Sequence, residues 1–383
     1  MNAPERAIDV VIVGGGVIGL AVGWRAAQRG LSVTLLERTA PGQATSRVAA
    51  GMVAPISEAS PLEPELLALG RHSAGLYPAF AEELMEESGV DPGYRRFGTL
   101  LVARDRDEAE ALDRELAFRQ ELGLPVRRLL ARDARGLEPA LAPTLRLALE
   151  IPDDHAVDPR ALSRALEGAF RAAGGHIRCP AEVVELVGDG GRTHGVRLGD
   201  GELVRAEQVV VAAGPWSGEL GGVPLEAQIP LRPVKGQILA LRDPTGPGLL
   251  ARVLRMQPGY LVPRGDGRYV LGATMEERGF DTTATAGAVF EMLRDAIDLV
   301  PGVAELVLEE VMVGIRPGTA DNGPALGPSP VPGLHWATGH HRHGILLTPI
   351  TAEIVVAGLL GESPPDVAEP FRAGRFVPAE VGA

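Results

Sequence analysis

The sequence predicts an α/β protein of two domains, an α+β arrangement in which an antiparallel, β-rich domain is inserted into a discontinuous domain with a parallel sheet. Three observations support this prediction: a strand, helix and strand around a glycine-rich turn at residues 8–36, further strand and helix patterns at 158–213 and 345–360, and alternating apolar and polar residues at 231–271. Crossover patterns are typical of parallel sheets, whereas alternation indicates antiparallel strands. The 383 residues suffice for two or three domains.

The first unit begins with a strand at residues 8–13, which is rich in β-branched residues. A helix follows at 17–29 and ends before Gly30, and a second buried strand covers 33–36. The turn between the first strand and the helix reads GGGVIG at 14–19. A strand, a turn of this kind and a helix together form the start of a Rossmann-type domain.

The turn fits the pattern GxGxxG and predicts a nucleotide site that includes Val17 and Ile18. In this pattern Gly14 permits the tight turn, Gly16 lets the backbone approach a pyrophosphate, and Gly19 allows close packing of helix on strand. The free N–H groups at the start of the helix can bind the anion. Glu37 and Arg38 follow the second strand. The Glu37 carboxylate can accept hydrogen bonds from ribose hydroxyls, and Arg38 adds a cation beside it. Arg38 could indicate a ribose phosphate, but Glu37 would repel that group, so an exposed arginine is favoured.

The remaining patterns divide between the two domains. Asp158 and Pro159 begin a helix that runs to Gly174, and strands follow at 183–186 and 208–213. A charged amphipathic helix at 105–122 belongs with the insertion. We place the first domain at residues 1–90, 145–230 and 312–383, and the second at 91–144 and 231–311.

Composition excludes several classes of partner. The chain carries 50 acidic and 37 basic residues, a net charge of −13, which opposes binding to nucleic acid and anionic membranes. Cys179 is the one cysteine, so disulfides and iron–sulfur clusters are excluded and a reducing, cytoplasmic setting is expected. We expect Cys179 to be buried at the start of a strand. No signal peptide or membrane-spanning run is evident.

Eight further segments resemble the D-amino-acid oxidase superfamily of FAD enzymes, and within it most closely the glycine oxidases of thiamine biosynthesis. The resemblance covers nearly the whole chain. The segments are SRVAAGM (46–52), VDP (157–159), VVVAAGPWS (209–217), RPVKGQ (232–237), YLVP (260–263), GATM (272–275), GIRP (314–317) and GHHRHGI (339–345).

The resemblance implies a bound FAD and the residues that hold it. It is expected to be bound non-covalently, because Val48 stands where some relatives carry a linking histidine and no cysteine lies near the C-terminus. The start of the last helix, predicted at Ile345, would offer positive partial charge to the flavin. The implied FAD contacts are Thr45, Ser46, Ala49, Ala50, Gly51, Met52, Val183, Ala213, Gly214, Trp216, His341, Arg342, His343, Gly344, Ile345 and Leu346.

The implied catalytic residues are Arg316, Tyr260, Met275 and Arg342. An arginine fork suits a carboxylate because its planar donors match both oxygens and its charge persists. By resemblance Arg316 pairs with the substrate carboxylate, Tyr260 adds a hydroxyl donor, and Met275 flanks the pocket, although a core methionine is an equal reading. Pro258 stands where glycine oxidases carry a histidine, a departure that bears on substrate preference.

The resemblance implies oxidative deamination of glycine, sarcosine and small D-amino acids to the imine, with oxygen reduced to hydrogen peroxide, a supply of glycine imine for the thiazole of thiamine, and a homotetramer. Two alternatives stay open: a D-amino-acid dehydrogenase that uses a quinone or another acceptor, and a nucleotide-binding module without activity. The dehydrogenases typically show Asn-Ala-Gly where this chain has Ala-Ala-Gly at 49–51. We expect no metal at His335, His340, His341 and His343, since no carboxylate or cysteine set accompanies them.

Overall fold

The computed structural model describes residues 8–189 and 191–376, so the predicted domain ends at 1–7 and 377–383 lie outside the described residues. The helices are α1 Val17–Gln28, α2 Pro64–Ser88, α3 Arg106–Glu121, α4 Ala131–Leu137, α5 Pro159–Ala172, α6 Ala286–Leu299 and α7 Thr348–Leu360. The strands are β1 Val10–Val13, β2 Val33–Leu36, β3 Met52–Val53, β4 Thr99–Ala103, β5 Arg127–Leu130, β6 Leu147–Ile151, β7 His155–Ala156, β8 His176–Arg178, β9 Val183–Asp189, β10 Arg192–Leu198, β11 Leu203–Arg205, β12 Gln208–Val211, β13 Arg232–Arg242, β14 Val253–Arg255, β15 Tyr260–Pro263, β16 Arg268–Gly272, β17 Val307–Gly318, β18 Ala325–Pro328 and β19 Leu334–Thr338.

The first sheet has six strands in the order β18-β19-β12-β1-β2-β8, all parallel except β18. Its central strand β1 is buried on both faces, which explains its unbroken apolar sequence. Val10 and Ile12 pack toward the helices, whereas Val11 and Val13 pack toward a three-stranded sheet of β9, β10 and β11. The parallel sheet and the two-domain α/β class are therefore confirmed.

Helices α1, α5 and α7 cover one face of this sheet, and α2 packs on α5 and α7. Helix α5 starts where the sequence predicts: the carboxylate of Asp158 accepts hydrogen bonds from the N–H groups of Arg160 and Ala161, and Pro159 occupies the first turn. Its apolar stripe, which includes Leu162 and Phe170, is buried against the core.

Two expectations about local structure are wrong, and one helix is not predicted. The last helix begins at Thr348 instead of Ile345, because residues 341–343 form a 3₁₀ turn first. Cys179 follows β8 and is exposed instead of buried at a strand start. Helix α2, with 25 residues, is absent from the sequence prediction; Pro78 lies inside it, and proline ordinarily argues against a helix interior.

The second sheet has eight strands in the order β17-β13-β16-β15-β14-β4-β6-β5. Its neighbours are antiparallel, as the alternation at 231–271 predicts, except that β14 pairs with β4 in parallel. Residues of α4 and α6 pack on one face. The other face carries Tyr260 and Ala273 and meets Val48, Ala50 and Met52 from the first sheet's side of the molecule.

The domain limits stay a prediction. Strand β6 lies within the segment 145–230 assigned to the first domain, yet it pairs with β4 and β5 in the eight-stranded sheet. Among the helices of the described residues, none combines the length and the apolar character needed to cross a bilayer.

Candidate active site

A cleft with a volume of about 460 Å³ lies between the two sheets and brings together nearly all the predicted site residues. We call the part lined by Gly14, Glu37 and Val183 the glycine end, and the part lined by Tyr260, Met275 and Arg316 the arginine end. The predicted residues that line the cleft are Gly14, Gly16, Val17, Ile18, Glu37, Arg38, Thr45, Ser46, Ala49, Ala50, Gly51, Met52, Val183, Ala213, Gly214, Trp216, Tyr260, Met275, Arg316, His341, Arg342, His343, Gly344, Ile345 and Leu346. Gly19 is absent from the lining.

The glycine end is built from backbone in close contact. Gly14 has a φ of 105°, and a Cβ there would lie 2.6 Å from the carbonyl oxygen of Ala212. A Cβ on Gly19 would lie 2.0 Å from the carbonyl oxygen of Gly14, so Gly19 serves the packing of α1 on the turn. The Glu37 carboxylate accepts a hydrogen bond of 2.8 Å from the N–H of Gly15, which ties the end of β2 to the turn.

The start of α1 faces the cleft without a side-chain cap at Gly16. The hydroxyl oxygen of Ser46 accepts a hydrogen bond of 3.1 Å from the N–H of Val17, so the loop at 45–52 is held against the helix. Helix starts that expose N–H groups favour anions. Arg38 is exposed, as expected, but its guanidinium also stacks over the ring of Trp216 at 3.8 Å.

The loop at 45–52 is fixed from the other sheet as well. The Thr45 hydroxyl donates 2.7 Å to the carbonyl oxygen of Ile315, and Arg264 donates 2.7 Å to the carbonyl oxygen of Ala50. A Cβ on Gly314 would lie 2.9 Å from the Val48 side chain. The small residues of this loop therefore form a tightly held wall between the two ends of the cleft.

The arginine end rests on two glycines of the eight-stranded sheet. Arg316 lies over Gly236, where a Cβ would meet the guanidinium at 2.3 Å, and Tyr260 lies over Gly272, where a Cβ would meet its hydroxyl at 2.9 Å. One guanidinium nitrogen of Arg316 donates 3.2 Å to the carbonyl oxygen of Thr274. Burial raises the pKa of Tyr260, so its hydroxyl keeps its proton and can donate.

Met275 lies at the mouth of this end with 64% of its surface exposed, so the reading as a core methionine is wrong. The Lys235 side chain, in contrast, is almost fully buried and donates 2.6 Å to the Asp281 carboxylate. The backbone of Lys235 also pairs with that of Glu276, so Lys235 holds the segment next to Met275.

Sequence reasoning missed two charged residues of the arginine end, Glu58 and Arg255. Arg255 ends β14 and pairs across strands with Tyr260, so both side chains belong to one part of the sheet. Glu58 follows the loop at 45–52 by a few residues. The segments RMQPGY and SEAS contain no pattern that separates these side chains from ordinary surface charges. Pairing of β14 with β15 and β4 brings Arg255 into the cleft, and hydrogen bonds from Ile56 and Ser57 to Asp154 hold the turn that carries Glu58.

The histidine segment at 340–343 follows β19. His341 has a φ of 47°, is buried, lines the cleft, and both its ring nitrogens have no hydrogen-bond partner among the described residues. Burial and the neighbouring arginines lower its pKa to about 3, so the ring is neutral. Helix α2 holds the next backbone: Tyr77 and Ser73 donate to the carbonyl oxygens of Ile345 and Leu346.

The other imidazoles have separate partners. The ring of His335 contacts the Gln208 side chain at 2.8 Å, and that of His340 contacts the Thr351 hydroxyl at 2.9 Å. His343 lies 3.3 Å from Glu58. Among the described residues, no three histidine, cysteine or carboxylate side chains are grouped as ligands for a metal ion.

The cleft fits FAD. A glycine turn and a helix start with no capping side chain at Gly16 suit the diphosphate, and Glu37 suits the ribose. The unpartnered, buried nitrogens of His341 and the small residues at 49–51 suit a flat ring with polar edges. When bound, FAD supplies the acceptor for a hydride.

The comparisons with known proteins agree with this geometry. The family DAO, FAD dependent oxidoreductase, matches residues 9–357. The glycine oxidase of Geobacillus kaustophilus (strain HTA426) is 38% identical over 349 residues, which cover 91% of each chain. The bifunctional protein ThiO/ThiG of Trichormus variabilis (strain ATCC 29413 / PCC 7937) is 34% identical over 96% of this chain and 55% of its own.

A further relative and one solved structure extend the comparison. The hydrogen cyanide synthase subunit HcnC of Pseudomonas aeruginosa is 30% identical over 98% of this chain and 97% of its own. The crystal structure of glycine oxidase from Geobacillus kaustophilus matches with a TM-score of 0.90 and 35% identity, over 97% of this chain and 99% of that chain. The chain therefore belongs to the DAO family of FAD-dependent oxidoreductases.

Proposed function

We propose that the chain oxidises glycine, and also sarcosine and small D-amino acids, to the imine, with oxygen reduced to hydrogen peroxide. The observation that carries this proposal is the pairing of the arginines at the arginine end. Arg255 and Arg342 each have a carboxylate within 4.0 Å, whereas Arg316 has none among the described residues. A guanidinium without a counterion beside a cleft is suited to the carboxylate of a substrate.

The neighbours of Arg316 support this role. Thr274 and Lys235 offer carbonyl oxygens to one of its nitrogens at 3.2 and 3.4 Å, which holds the side chain in place and leaves its other donors for a ligand. Tyr260 lies on the same sheet as Arg316, and its hydroxyl adds a hydrogen-bond donor for the substrate. Met275 at the mouth would restrict the size of the substrate side chain.

The overall reaction moves two electrons and two protons from the amino acid to oxygen. The α-carbon loses a hydride, the nitrogen lone pair forms the C=N bond, and the amine loses a proton to solvent. The residues at 341–346, which line the cleft, would hold the ring of FAD through the His341 imidazole and backbone N–H groups.

Anaerobic mixing of the yellow holoenzyme with glycine tests the proposal. We expect flavin absorbance to bleach, and under air we expect oxygen uptake matched by peroxide, with glycine, sarcosine and D-alanine compared. No bleaching by any of the three would contradict the function. The named relatives glycine oxidase and ThiO/ThiG support glycine as substrate and a supply of imine for thiamine synthesis.

A second candidate is a dehydrogenase that passes electrons to a quinone or another carrier. The observation that favours this candidate is the 30% identity to a chain named as a subunit of hydrogen cyanide synthase, since a subunit of a larger enzyme can pass electrons to a partner instead of to oxygen. The Ala-Ala-Gly sequence at 49–51 opposes it. Bleaching by glycine followed by dye reduction without oxygen uptake would support this candidate instead.

We also propose that the protein is cytoplasmic and forms a homotetramer, on the resemblance to the glycine oxidases. Light scattering after gel filtration measures the mass of the assembly directly. A monomeric mass of 40.2 kDa for the active holoenzyme would contradict the tetramer.

A further inference from the structure

Glu58 is a carboxylate at the arginine end, and the reaction steps proposed above give it no role. It lines the same cleft as Arg316, Tyr260 and Met275. Its side chain is 11% exposed, so the carboxylate is mostly buried and its open side belongs to the cleft. A buried carboxylate is costly unless its charge is used or paired.

Two buried charged side chains hold the turn that carries Glu58. The Asp154 carboxylate accepts hydrogen bonds from the N–H groups of Ile56 and Ser57 at 3.1 and 2.5 Å. Arg119 donates to the carbonyl oxygens of the same two residues, at 2.9 Å each. Asp154 is fully buried and Arg119 is 2% exposed. This turn is therefore rigid, and it fixes the direction in which Glu58 leaves it.

The Glu58 carboxylate is charged but not committed to one partner. Its nearest nitrogens are on His343 at 3.3 Å, Arg342 at 3.5 Å and Arg255 at 3.6 Å, all longer than the roughly 2.7 to 2.9 Å of a charged hydrogen bond. Burial alone would raise the pKa of Glu58, but the charge of Arg255 and the other cations outweighs burial and holds that pKa below its usual value. The oxygens thus remain anionic acceptors.

Arg342 and Arg255 are also engaged elsewhere. Arg342 donates 2.7 Å to Glu63, and Arg255 donates 2.8 Å to the carbonyl oxygen of Ser57. The arginine end thus presents opposite charges to its ligand: the Arg316 guanidinium has no carboxylate within 4.0 Å among the described residues, and the nearest nitrogen to the Glu58 carboxylate lies 3.3 Å away. That arrangement matches a zwitterion and not a simple acid.

We propose that Glu58 binds the amino group of the substrate while Arg316 binds its carboxylate. This inference rests on the proposed oxidation of small amino acids and specifies how the site selects them. Glu58 acts as a hydrogen-bond acceptor for an ammonium or amine, so the site favours α-amino acids over 2-hydroxy acids and simple carboxylic acids. Because Glu58 is a weak base, its role is to orient the nitrogen rather than to take its proton.

The test compares a ligand that has the amine with one that lacks it. In the Glu58→Gln holoenzyme we expect the KM for glycine to rise about tenfold or more, as loss of a charged hydrogen bond predicts. We expect inhibition by acetate, measured also as a change in flavin absorbance, to stay constant or to become stronger, because a repelling charge has gone. The decisive quantity is the ratio of the KM for glycine to the inhibition constant for acetate.

Glu63→Gln is the matched control, since it removes the same charge beside Arg342 but does not line the cleft. We expect the constants for glycine and acetate to move together in this variant. Glu58→Asp, which keeps the charge on a shorter side chain, should shift the ratio in the direction of Glu58→Gln, and it carries the comparison if the glutamine variant does not retain FAD.

Two failures are distinguishable. If the unaltered enzyme shows no flavin reduction with glycine, sarcosine or D-alanine, the proposed function fails. If the unaltered enzyme is active and the ratio in the Glu58 variants equals that in Glu63→Gln, the assignment of Glu58 fails alone, and Glu58 is only a counterion for the arginines.

Discussion

The two ends of the cleft are built by different means. At the glycine end, backbone atoms approach one another so closely that a single added Cβ would lie 2.6 Å from a carbonyl oxygen. At the arginine end, Arg316, Tyr260 and Glu58 present charges and a hydroxyl from a sheet and a turn that are distant in sequence. The glycine end depends on shape and the arginine end on charge, so mutations should separate cofactor retention from substrate affinity.

The largest effect is expected at Gly14. Gly14→Ala forces a Cβ onto the carbonyl oxygen of Ala212 at a φ of 105°, so we expect a protein that is purified without FAD. The ratio of flavin to protein absorbance measures this loss. Gly30→Ala is the control, because Gly30 also has a positive φ, 85°, but a Cβ there meets nothing within 4 Å. A yellow Gly14→Ala variant with full occupancy would contradict the close approach.

A large effect on substrate and none on cofactor is expected at Arg316. In Arg316→Leu the apparent affinity for glycine should fall at least tenfold, since a charged hydrogen bond contributes about 1.5 to 3 kcal/mol. Steady-state kinetics and the flavin spectrum measure the two properties. Arg242→Leu is the control: Arg242 ends β13, pairs with Glu309 and does not line the cleft. Unchanged glycine kinetics in Arg316→Leu would refute the proposed carboxylate site.

The glycine end could be predicted from sequence because its parts are local. The strand, turn and helix at 8–36 lie within one short segment, and the GxGxxG spacing states the requirement for close backbone contact. Helix α2 could not be predicted in the same way. Pro78 interrupts its pattern, and its aromatic face becomes clear only when Tyr77 and Phe80 are seen to pack against the core of the first sheet.

The arginine end could be predicted only where a resemblance supplied it. Arg316 and Tyr260 belong to segments that resemble the family, whereas Arg255 and Glu58 do not. Arg255 enters the cleft because β14 pairs with β15 on one side and with β4 on the other. Glu58 enters because Asp154, nearly a hundred residues later, holds its turn. Such contacts depend on tertiary structure and leave no spacing in the sequence.

A smaller effect is expected at Gly236, which supports Arg316 and tests whether the two ends of the cleft can be altered separately. Gly236→Ala places a Cβ 2.3 Å from the Arg316 guanidinium, which is the flexible end of a long side chain and can move aside. We therefore expect a several-fold rise in the KM for glycine with little change in thermal stability or FAD content. Gly287→Ala, where a Cβ meets nothing within 4 Å, is the control. Loss of FAD in Gly236→Ala would show that the two ends are not separable.

The smallest effect concerns the histidine segment between the two ends. Burial lowers the pKa of His340 to about 3, from about 6.5 in an unfolded chain. Between these two pKa values the folded protein therefore binds fewer protons than the unfolded chain. The buried imidazole of His340 costs no stability above pH 6.5, and its cost grows as the pH falls toward 3. His340→Gln can keep the contact with Thr351 and should remove about 1 to 2 kcal/mol of the acid-induced loss at pH 5. Melting temperatures between pH 7.5 and 5 should fall less in this variant than in the unaltered protein. An unchanged slope in His340→Gln would mean that this imidazole is protonated without cost.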